Sequence, residues 1–368
     1  MKPFPHQFID RDTGRVLDEA ITGEGLARLV YSDFPLGRQG LARLFSGDWA
    51  TSAAAFAFFD AACAPGMVRS FARAMGVRED ELVEPLAAFR TRRDVFLRRI
   101  RYEECRPMVP APEVVVSPAD AKLIHGDLAA DAAIRVKERF FDLETLVGSP
   151  DLARRFAGGT YGVFRLAPPD YHYFHAPVSG TVASVRELEG RFYSVNPVAL
   201  CAIDQVLSSN RRVVVVIDTD REGGSGVGRV AVIPVAAQVI GRIDLAYCNA
   251  GYESPISVRE GLAVRKGQPL GAFHPGSSTV VVLFEAGRVI WHPDLALNRD
   301  RSDAKTRYAE GLFGRNLTET FIRVRDAVAC RTGAMPQDRI PLGGDRILVR
   351  DRGAWIVQGL DKTGRDDP

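Results

Sequence analysis

The distribution of apolar and polar residues changes along the chain, and the predicted elements change with it. Residues 1–105 favour helices interrupted by Gly and Pro, so we expect a helical N-terminal region there. From Val114 the apolar residues form short β-branched runs between Gly, Pro and Asn turns, as in the segment 213–217. The predicted fold class is therefore α+β, with a β-rich, barrel-sandwich-like core over residues 106–290.

The last part of the chain, residues 291–368, is predicted to form a C-terminal extension. Its apolar spacing predicts a helix from Asp303 to Cys330. Two apolar runs, 346–349 and 354–357, flank a polar turn that contains a glycine, which predicts a closing β-hairpin. The extension is thus expected to combine a helix with a hairpin.

An Ala- and Phe-rich stretch from Ala50 to Cys63 predicts a further helix. Its longest apolar run, Ala53–Phe59, is far shorter than the ~18–20 residues that a membrane-spanning helix needs. Two interpretations fit such a helix: it packs in the core, or it lies in the membrane interface with its apolar face in the lipid.

Composition restricts the classes of function only in part. The 368 residues carry a formal net charge of +2, which gives no strong electrostatic case for nucleic acid as a partner. The five cysteines are dispersed without a CxxC pair, so no metal site is expected. Dispersed cysteines and the lack of a recognisable signal peptide predict a cytoplasmic location.

One local excess of positive charge falls on a predicted helix. This cluster forms either a solvated helix face or a patch that binds anionic lipid head groups. The arginines in question are Arg90, Arg92, Arg93, Arg98, Arg99 and Arg101.

The most informative stretch for chemistry precedes an apolar run that is typical of a buried strand. Here Gly276, Ser277, Ser278 and Thr279 follow a Pro-marked turn. A serine hydroxyl held at such a turn can be pressed against the carbonyl that precedes it, which self-cleavage requires. Taken alone, a Ser-Ser turn is more often structural. The catalytic interpretation therefore depends on two further segments upstream.

The two upstream segments supply an acid and two bases. Asp120 ends a Ser-Pro-Ala-Asp turn, and His172 and His175 lie three residues apart before a Pro-x-x-Gly turn. A carboxylate can fix the tautomer of an imidazole, which can then take a proton from a serine hydroxyl. The structural interpretations are a turn carboxylate for Asp120 and a solvated pair, or half of a metal site, for the histidines.

These segments, in this order, resemble the phosphatidylserine decarboxylase family of pyruvoyl enzymes. The family's Ser-Pro-Ala-Asp-Gly is similar to residues 117–121, with Ala121 in place of glycine. Its Asp-Tyr-His-x-x-His and Pro-x-x-Gly pattern is similar to residues 170–180. Its Gly-Ser-Thr or Gly-Gly-Ser-Thr cleavage motif is similar to Gly276–Thr279, and the resemblance extends roughly over residues 5–290.

The cleavage motif leaves two candidate serines. Gly276–Ser277 keeps the family's Gly–Ser pair, whereas aligning Phe-x-x-Gly-Gly-Ser-Thr-Val without gaps on residues 273–280 puts the reactive serine at Ser278. We prefer Ser278, because a one-residue shift would reverse the side-chain faces of the following strand. Cleavage is then predicted between Ser277 and Ser278, with Ser277 as the fallback.

The resemblance also implies roles for the candidates. His175, oriented by Asp120, takes the proton of Ser278, and cleavage then gives the α and β chains of one proenzyme, residues 1–277 and 278–368. Ser278 becomes the pyruvoyl cofactor, an electron sink that the protein makes from its own chain. His172, with a pKa expected near the ordinary value of an imidazole, protonates the α-carbon of the decarboxylated substrate.

The implied reaction converts phosphatidylserine to phosphatidylethanolamine on a peripherally bound enzyme at the cytoplasmic membrane. Anionic phospholipid and the membrane surface are thus the expected partners, and a homodimer is compatible with the resemblance. Two alternatives stay open: a pyruvoyl-dependent decarboxylase of a soluble amino acid, and a non-catalytic barrel-sandwich binding module. The module is suggested by residues 175–182 and 264–271, which resemble the hairpins of biotinyl and lipoyl carrier barrels.

Overall fold

The structure is a computed structural model, and it describes residues 6–19, 57–128, 140–239, 242–309, 317–336, 338–351 and 354–359. The described helices are short. They are α1 Pro65–Ala74, α2 Arg92–Phe96, α3 Tyr102–Cys105, α4 Leu143–Val147, α5 Pro150–Phe156, α6 Pro197–Ala202, α7 Val206–Ser209 and α8 Pro293–Arg299. Single 3₁₀ turns cover Glu79–Glu81, Leu86–Ala88 and Arg307–Ala309.

Strands make up most of the regular structure after residue 110. In chain order they are β1 Gln7–Asp10, β2 Val16–Asp18, β3 Val114–Val116, β4 Ala121–Asp127, β5 Thr160–Leu166, β6 Tyr173–His175, β7 Gly180–Leu188, β8 Arg212–Asp218, β9 Arg229–Val239, β10 Ile243–Tyr247, β11 Ile256–Ser257, β12 Ala263–Val264, β13 Pro269–Phe273, β14 Gly276–Phe284, β15 Val289–Trp291, β16 Glu319–Ile322, β17 Ala327–Arg331, β18 Arg339–Gly343, β19 Arg346–Asp351 and β20 Ala354–Gly359.

Ten of these strands form one sheet in the order β12-β7-β8-β9-β14-β5-β4-β16-β1-β2. Smaller sheets have the orders β11-β10-β13-β6, β15-β17-β3 and β18-β19-β20. These orders are open at both ends, so the described strands form packed sheets rather than a closed barrel. The predicted α+β class with a β-rich core is confirmed.

The centre of the large sheet is covered on both faces because its strands carry apolar residues at consecutive positions. β8 reads Arg-Val-Val-Val-Val-Ile-Asp and is buried along most of its length. On one face, Val280 of β14 packs in a core with Phe174 and Phe273. On the other face, Val281 packs in a second core with Leu146 of α4. A sheet enclosed in this way is a firm support for the residues at its strand ends.

The N-terminal region combines strands with helices. β1 pairs with β2 and, in parallel, with β16 from the end of the chain. The first residues therefore depart from the helical prediction, because a distant strand supplies their ladder partners. The helix predicted from Ala50 to Cys63 lies mostly outside the described residues, although residues 57–60 within it are helical. Among the described helices, none is long and apolar enough to span a membrane.

The helix predicted from Asp303 to Cys330 is wrong in the part that the structure describes. β16 and β17 occupy Glu319–Ile322 and Ala327–Arg331. β16 lies between β1 and β4, and β17 lies between β15 and β3. Pairing with strands on both sides overrides the helical spacing of the apolar residues. The hairpin predicted near the C-terminus is confirmed as β19 and β20.

Candidate active site

The predicted cleavage bond lies at the beginning of β14. Ser278 pairs with Leu166 of β5 on one side and with Ala236 of β9 on the other. The register between β14 and β9 shifts between Gly276 and Ser278, which marks an irregularity beside the bond that joins residues 277 and 278. Such bulges are frequent next to active sites, because they redirect a side chain or end the pairing.

Ser278 lies on the face of β14 that meets the motif segments. It is only 1% exposed. Side chains alternate along a strand, so Ser278 shares a face with Val280, which packs in a core with Phe174 and Ala119. Phe174 lies between the two candidate histidines, and Ala119 directly precedes Asp120.

Backbone hydrogen bonds fix the histidine segment beside the cleavage turn. β6 pairs with β13, the strand that leads into this turn. The amide of Phe273 donates to the carbonyl of His172 at 2.9 Å, and the amide of His175 donates to the carbonyl of Pro118 at 2.7 Å. His172 therefore lies beside the end of β13 that leads into the cleavage turn, whereas His175 and the turn that contains Pro118 lie beside the beginning of β13.

His172 is fully buried, and one of its ring nitrogens has no partner among the described residues. Its Nδ1 lies 2.8 Å from the carbonyl oxygen of Asp170, so Nδ1 carries the proton of the neutral ring. Its buried Nε2 has no hydrogen-bond partner in the part of the chain that the structure describes. The ring of Phe96 lies 3.7 Å away, centroid to centroid. His172 thus presents an unprotonated nitrogen in an apolar setting.

His175 is equally buried, but both of its ring nitrogens have partners. Nδ1 donates to the carbonyl of Gly267 at 2.9 Å, and Nε2 lies 3.0 Å from the hydroxyl of Tyr171. Gly267 has a φ of +75°, a left-handed conformation that favours glycine. The expected hydrogen bond between Asp120 and His175 is therefore wrong, because no ring nitrogen is left for the carboxylate.

Asp120 instead belongs to a buried ion-pair network. Its Oδ1 accepts from Arg106 Nε at 3.2 Å and from the amide of Val324 at 2.7 Å, and its Oδ2 accepts from Arg106 Nη2 at 2.9 Å. Arg106 also binds both carboxylate oxygens of Glu81, at 3.0 and 3.1 Å. Burial raises the pKa of Asp120, but the Arg106 guanidinium outweighs it and the pKa is lowered. Asp120 is thus an ionised anchor for its own turn.

Burial makes both histidines weak bases. Burial, assisted by the cation of Arg98, lowers the pKa of His172 to about 3. It also lowers the pKa of His175 to about 3, with the hydrogen bond to Gly267 acting in the opposite direction. Both rings are neutral at pH 7 because an imidazolium is poorly solvated there. The ordinary pKa expected for His172 is therefore wrong.

The arginine-rich segment does not form one solvated face. Arg93, Arg99 and Arg101 each pair with a carboxylate, those of Asp60, Glu84 and Glu104. Half of the six arginines are therefore neutralised by carboxylates of the N-terminal region.

Arg98 differs from the other arginines because it is buried beside the site. It is 8% exposed and donates to the carbonyl oxygens of Val95 and Pro169. It lines a polar pocket of about 140 Å³ together with Asp170 and Tyr171. The pocket thus lies directly next to the histidine segment.

A second cluster of titratable groups lies away from this site. Among the described residues, His6, Glu19 and Glu319 bring their ligand atoms close enough to hold a metal ion. However, the guanidinium of Arg165 lies 2.7 Å from Glu19 and 2.6 Å from Glu319. A metal ion there would meet a fixed positive charge, so the cluster acts as an ion-pair network that joins both ends of the chain.

Sequence reasoning missed the residues that hold the candidates in place. Arg106 carries no motif, and its role depends on a fold that brings it to Asp120. Val324 lies between β16 and β17, in a part of the extension that was predicted as helix. Tyr171 lies inside the Asp-Tyr-His motif, but nothing in the sequence indicated that its hydroxyl lies 2.7 Å from the hydroxyl of Tyr252.

Comparisons with known proteins identify similar sequences. The sequence model of the phosphatidylserine decarboxylase family matches residues 93–313. A phosphatidylserine decarboxylase proenzyme of Fusobacterium nucleatum is 27% identical over 313 residues, which are 84% of this chain and 97% of the relative. One from Anaeromyxobacter sp. is 35% identical over 62% of this chain and 81% of the relative. Phosphatidylserine decarboxylase proenzyme 3 of Schizosaccharomyces pombe is 32% identical over 63% of this chain, which spans only 22% of that longer relative.

Proposed function

Because the chain belongs to the phosphatidylserine decarboxylase family, we propose that it is a self-cleaving proenzyme that converts phosphatidylserine to phosphatidylethanolamine. The observation that carries the proposal is the family match over residues 93–313, which includes Asp120, His172, His175 and Ser278. The fold supports it, because β6 and β13 connect the segments of these residues to the turn that precedes β14.

Cleavage is proposed to start when the hydroxyl proton of Ser278 passes to His175. The Oγ of Ser278 attacks the carbonyl carbon of residue 277, and the acyl group moves from nitrogen to oxygen. Loss of the Cα proton of residue 278 then breaks the Cβ–Oγ bond and releases the upstream chain as a carboxylate. Water displaces the nitrogen of the remaining dehydroalanine as ammonia, and residue 278 becomes a pyruvoyl group.

The charge state of His175 is compatible with the role of base in this step. Its ring is neutral at pH 7 and can accept a proton, but burial lowers its pKa to about 3, so its surroundings have to stabilise that proton. Asp120 contributes through the backbone, because its ion pair holds the turn whose Pro118 carbonyl binds the amide of His175. Its negative charge also favours a proton on His175. We therefore assign Asp120 a positioning and electrostatic role instead of a direct contact.

Two buried side-chain atoms of the motif segments lack hydrogen-bond partners in the described part of the chain. They are His172 Nε2 and Thr279 Oγ1, which lies on the face of β14 opposite to Ser278. Unpaired buried polar atoms are rare in folded proteins, and the unpaired Nε2 of His172 can bind a group that enters the site. The ketone of a pyruvoyl group reacts with the substrate amine and accepts the electrons that carbon dioxide leaves behind.

We assign His172 to the return of a proton to the substrate. Since its neutral ring keeps the proton on Nδ1, the ring must first take a proton at Nε2 before it can give one from there. An unpartnered Nε2 suits this exchange, because no internal hydrogen bond has to break.

The side that faces lipid is proposed to be the N-terminal region. Phe58 and Met67 are 48% and 51% exposed, and the Arg92 guanidinium lies 4.2 Å from the ring centroid of Phe58. Exposed apolar side chains accompanied by cations suit contact with an anionic phospholipid surface. The proposal is therefore a peripheral attachment on this side of the molecule.

A decarboxylation assay with three substrates tests the function. The purified protein is incubated with phosphatidylserine vesicles, with glycerophosphoserine and with free serine, and released carbon dioxide is measured. We expect release from the vesicles, little release from free serine, and none from the Ser278→Ala variant with any substrate. Equal release from free amino acids would favour the soluble-substrate alternative. A fully cleaved protein that releases nothing would contradict the proposal.

A further inference from the structure

His175 begins a chain of hydrogen bonds that runs through two tyrosine hydroxyls to the backbone of Ile100. Its Nε2 lies 3.0 Å from Tyr171 Oη, which lies 2.7 Å from Tyr252 Oη. Tyr252 Oη in turn lies 2.9 Å from the carbonyl oxygen of Ile100 and 3.1 Å from its amide nitrogen. Neither hydroxyl has a part in the cleavage steps described above.

Donor counting places the hydrogen atoms when His175 is neutral. The Gly267 carbonyl can only accept, so Nδ1 holds the ring proton and Nε2 must accept from Tyr171. Tyr171 has then used its only proton, so Tyr252 must donate to Tyr171. The Tyr252 oxygen accepts from the amide of Ile100, and every donor in the chain is paired.

When His175 holds a second proton, the same heavy atoms carry the chain in the reverse direction. Nε2 donates to Tyr171, Tyr171 donates to Tyr252, and Tyr252 donates to the carbonyl of Ile100. Only two hydroxyl hydrogens rotate, and the ring keeps both of its hydrogen bonds. Burial raises the pKa of both phenols, so they stay protonated in either state.

We propose that Tyr171 and Tyr252 are positioning residues, which let the buried His175 accept a proton by reversing their hydrogen bonds. The proposal rests on the proposed function, in which His175 takes the proton of Ser278. When the Tyr171 hydroxyl hydrogen turns towards Tyr252, the Tyr171 oxygen can accept a hydrogen bond from Nε2, which then holds the proton. Without Tyr252, the protonated ring would leave the Tyr171 hydroxyl hydrogen unpaired in the core, which is costly.

Tyr173 provides a matched control in the same aromatic cluster. Its ring stacks on that of Tyr171 with centroids 5.5 Å apart and meets that of Tyr252 at 5.0 Å. Its hydroxyl is not a member of the chain. Phenylalanine at each of the three positions keeps the ring and removes one hydroxyl, so packing losses are comparable and only the hydrogen-bond chain differs.

Nitrogen NMR of histidine-labelled protein detects the chain directly. The Ser278→Ala background keeps the sample uncut, and His172 Nε2 is an internal reference for a ring nitrogen that has no partner among the described residues. In Tyr171→Phe we expect the His175 Nε2 resonance to move towards that of His172. Tyr252→Phe should move it less, and Tyr173→Phe should leave it in place. An unmoved resonance in Tyr171→Phe would overturn the proposal.

Cleavage kinetics in the otherwise wild-type chain test the functional half of the proposal. Followed by intact mass at pH 7, Tyr252→Phe should cleave about tenfold more slowly, the size of one buried hydrogen bond. Tyr171→Phe should be at least as slow, and Tyr173→Phe should match the wild type. Wild-type rates in the first two variants would overturn the proposal and leave the proposed function standing. A wild-type chain that never cleaves would overturn both.

Discussion

His172 and His175 are three residues apart and equally buried, yet their rings have different hydrogen-bond partners. In each ring a backbone carbonyl fixes Nδ1. The difference lies at Nε2, which has no partner among the described residues in His172 and binds the Tyr171 hydroxyl in His175. The motif supplies two imidazoles, and the surroundings of Nε2 distinguish them: this nitrogen is unpaired among the described residues in His172 and belongs to a hydrogen-bond chain in His175.

Asparagine at each histidine position tests this comparison with the largest expected effect. The asparagine amide keeps an N–H near the place of Nδ1 and removes Nε2. His175→Asn should lose self-cleavage by at least about 100-fold, because no base remains to accept the serine proton. His172→Asn should cleave and then lose decarboxylation by a similar factor. Intact mass reports the first step and carbon dioxide release reports the second.

The reverse pattern would contradict the assignment. If His172→Asn stays uncut while His175→Asn cleaves normally, the free nitrogen of His172 is the base of cleavage. The tyrosine chain would then have another purpose.

Asp120 links the two histidine environments, and its removal should have the next largest effect. Asp120→Asn keeps an acceptor for the Val324 amide but leaves Arg106 short of one buried counter-charge. We expect a loss of about 3 kcal/mol in the free energy of unfolding, as for other broken buried ion pairs, together with slower cleavage. Urea unfolding in the Ser278→Ala background measures this change in the free energy of unfolding.

An exposed ion pair supplies the control for this experiment. The side chains of Arg301 and Asp303 are 30% and 58% exposed. Asp303→Asn should therefore cost less than about 1 kcal/mol. Equal losses in the two variants would show that Asp120 is not the buried anchor described here.

The pH dependence of stability should show the lowered pKa that burial gives to both histidines. Their pKa is about 3 in the folded chain and about 6.5 when unfolded, so the unfolded state binds more protons between these values. The free energy of unfolding should therefore fall as the pH drops below about 6.5, by up to about 1.4 kcal/mol per pH unit for each histidine. Unfolding curves between pH 7 and pH 5 measure this slope.

The His172→Asn variant isolates one of the two contributions. In the Ser278→Ala background, this variant should reduce the slope of unfolding free energy against pH by up to about 1.4 kcal/mol per pH unit, the contribution of one histidine. An identical slope with and without His172 would mean that this ring is not desolvated in the folded chain.

Local sequence predicted those parts of the fold that local residues decide. The β-branched runs became β8 and β14, and the Gly-containing turn became the β19–β20 hairpin. The strands β16 and β17 were not predicted, because their partners β4 and β3 lie about 200 residues away along the chain. No local sequence pattern indicates such a pairing.

In the candidate site too, the residues within short motifs were predicted, whereas the contacts between distant segments were not. The motifs named Asp120, His172, His175 and Ser278, since each motif is a short local string. Contacts such as that between Asp120 and Arg106 could not be read from the sequence, because they depend on how distant segments pack. The low pKa of both histidines also depends on burial by neighbouring segments, which the chain order does not reveal.

The most direct test of the central claim is the intact mass of the purified chain under denaturing conditions, beside its Ser277→Ala and Ser278→Ala variants. We predict two chains, 1–277 and 278–368, with the smaller one blocked at its N-terminus by the pyruvoyl group. Ser277→Ala should still be cut and Ser278→Ala should remain whole. An uncut wild-type chain after prolonged incubation with lipid would contradict the account, and a cut between residues 276 and 277 would move the reactive residue to Ser277.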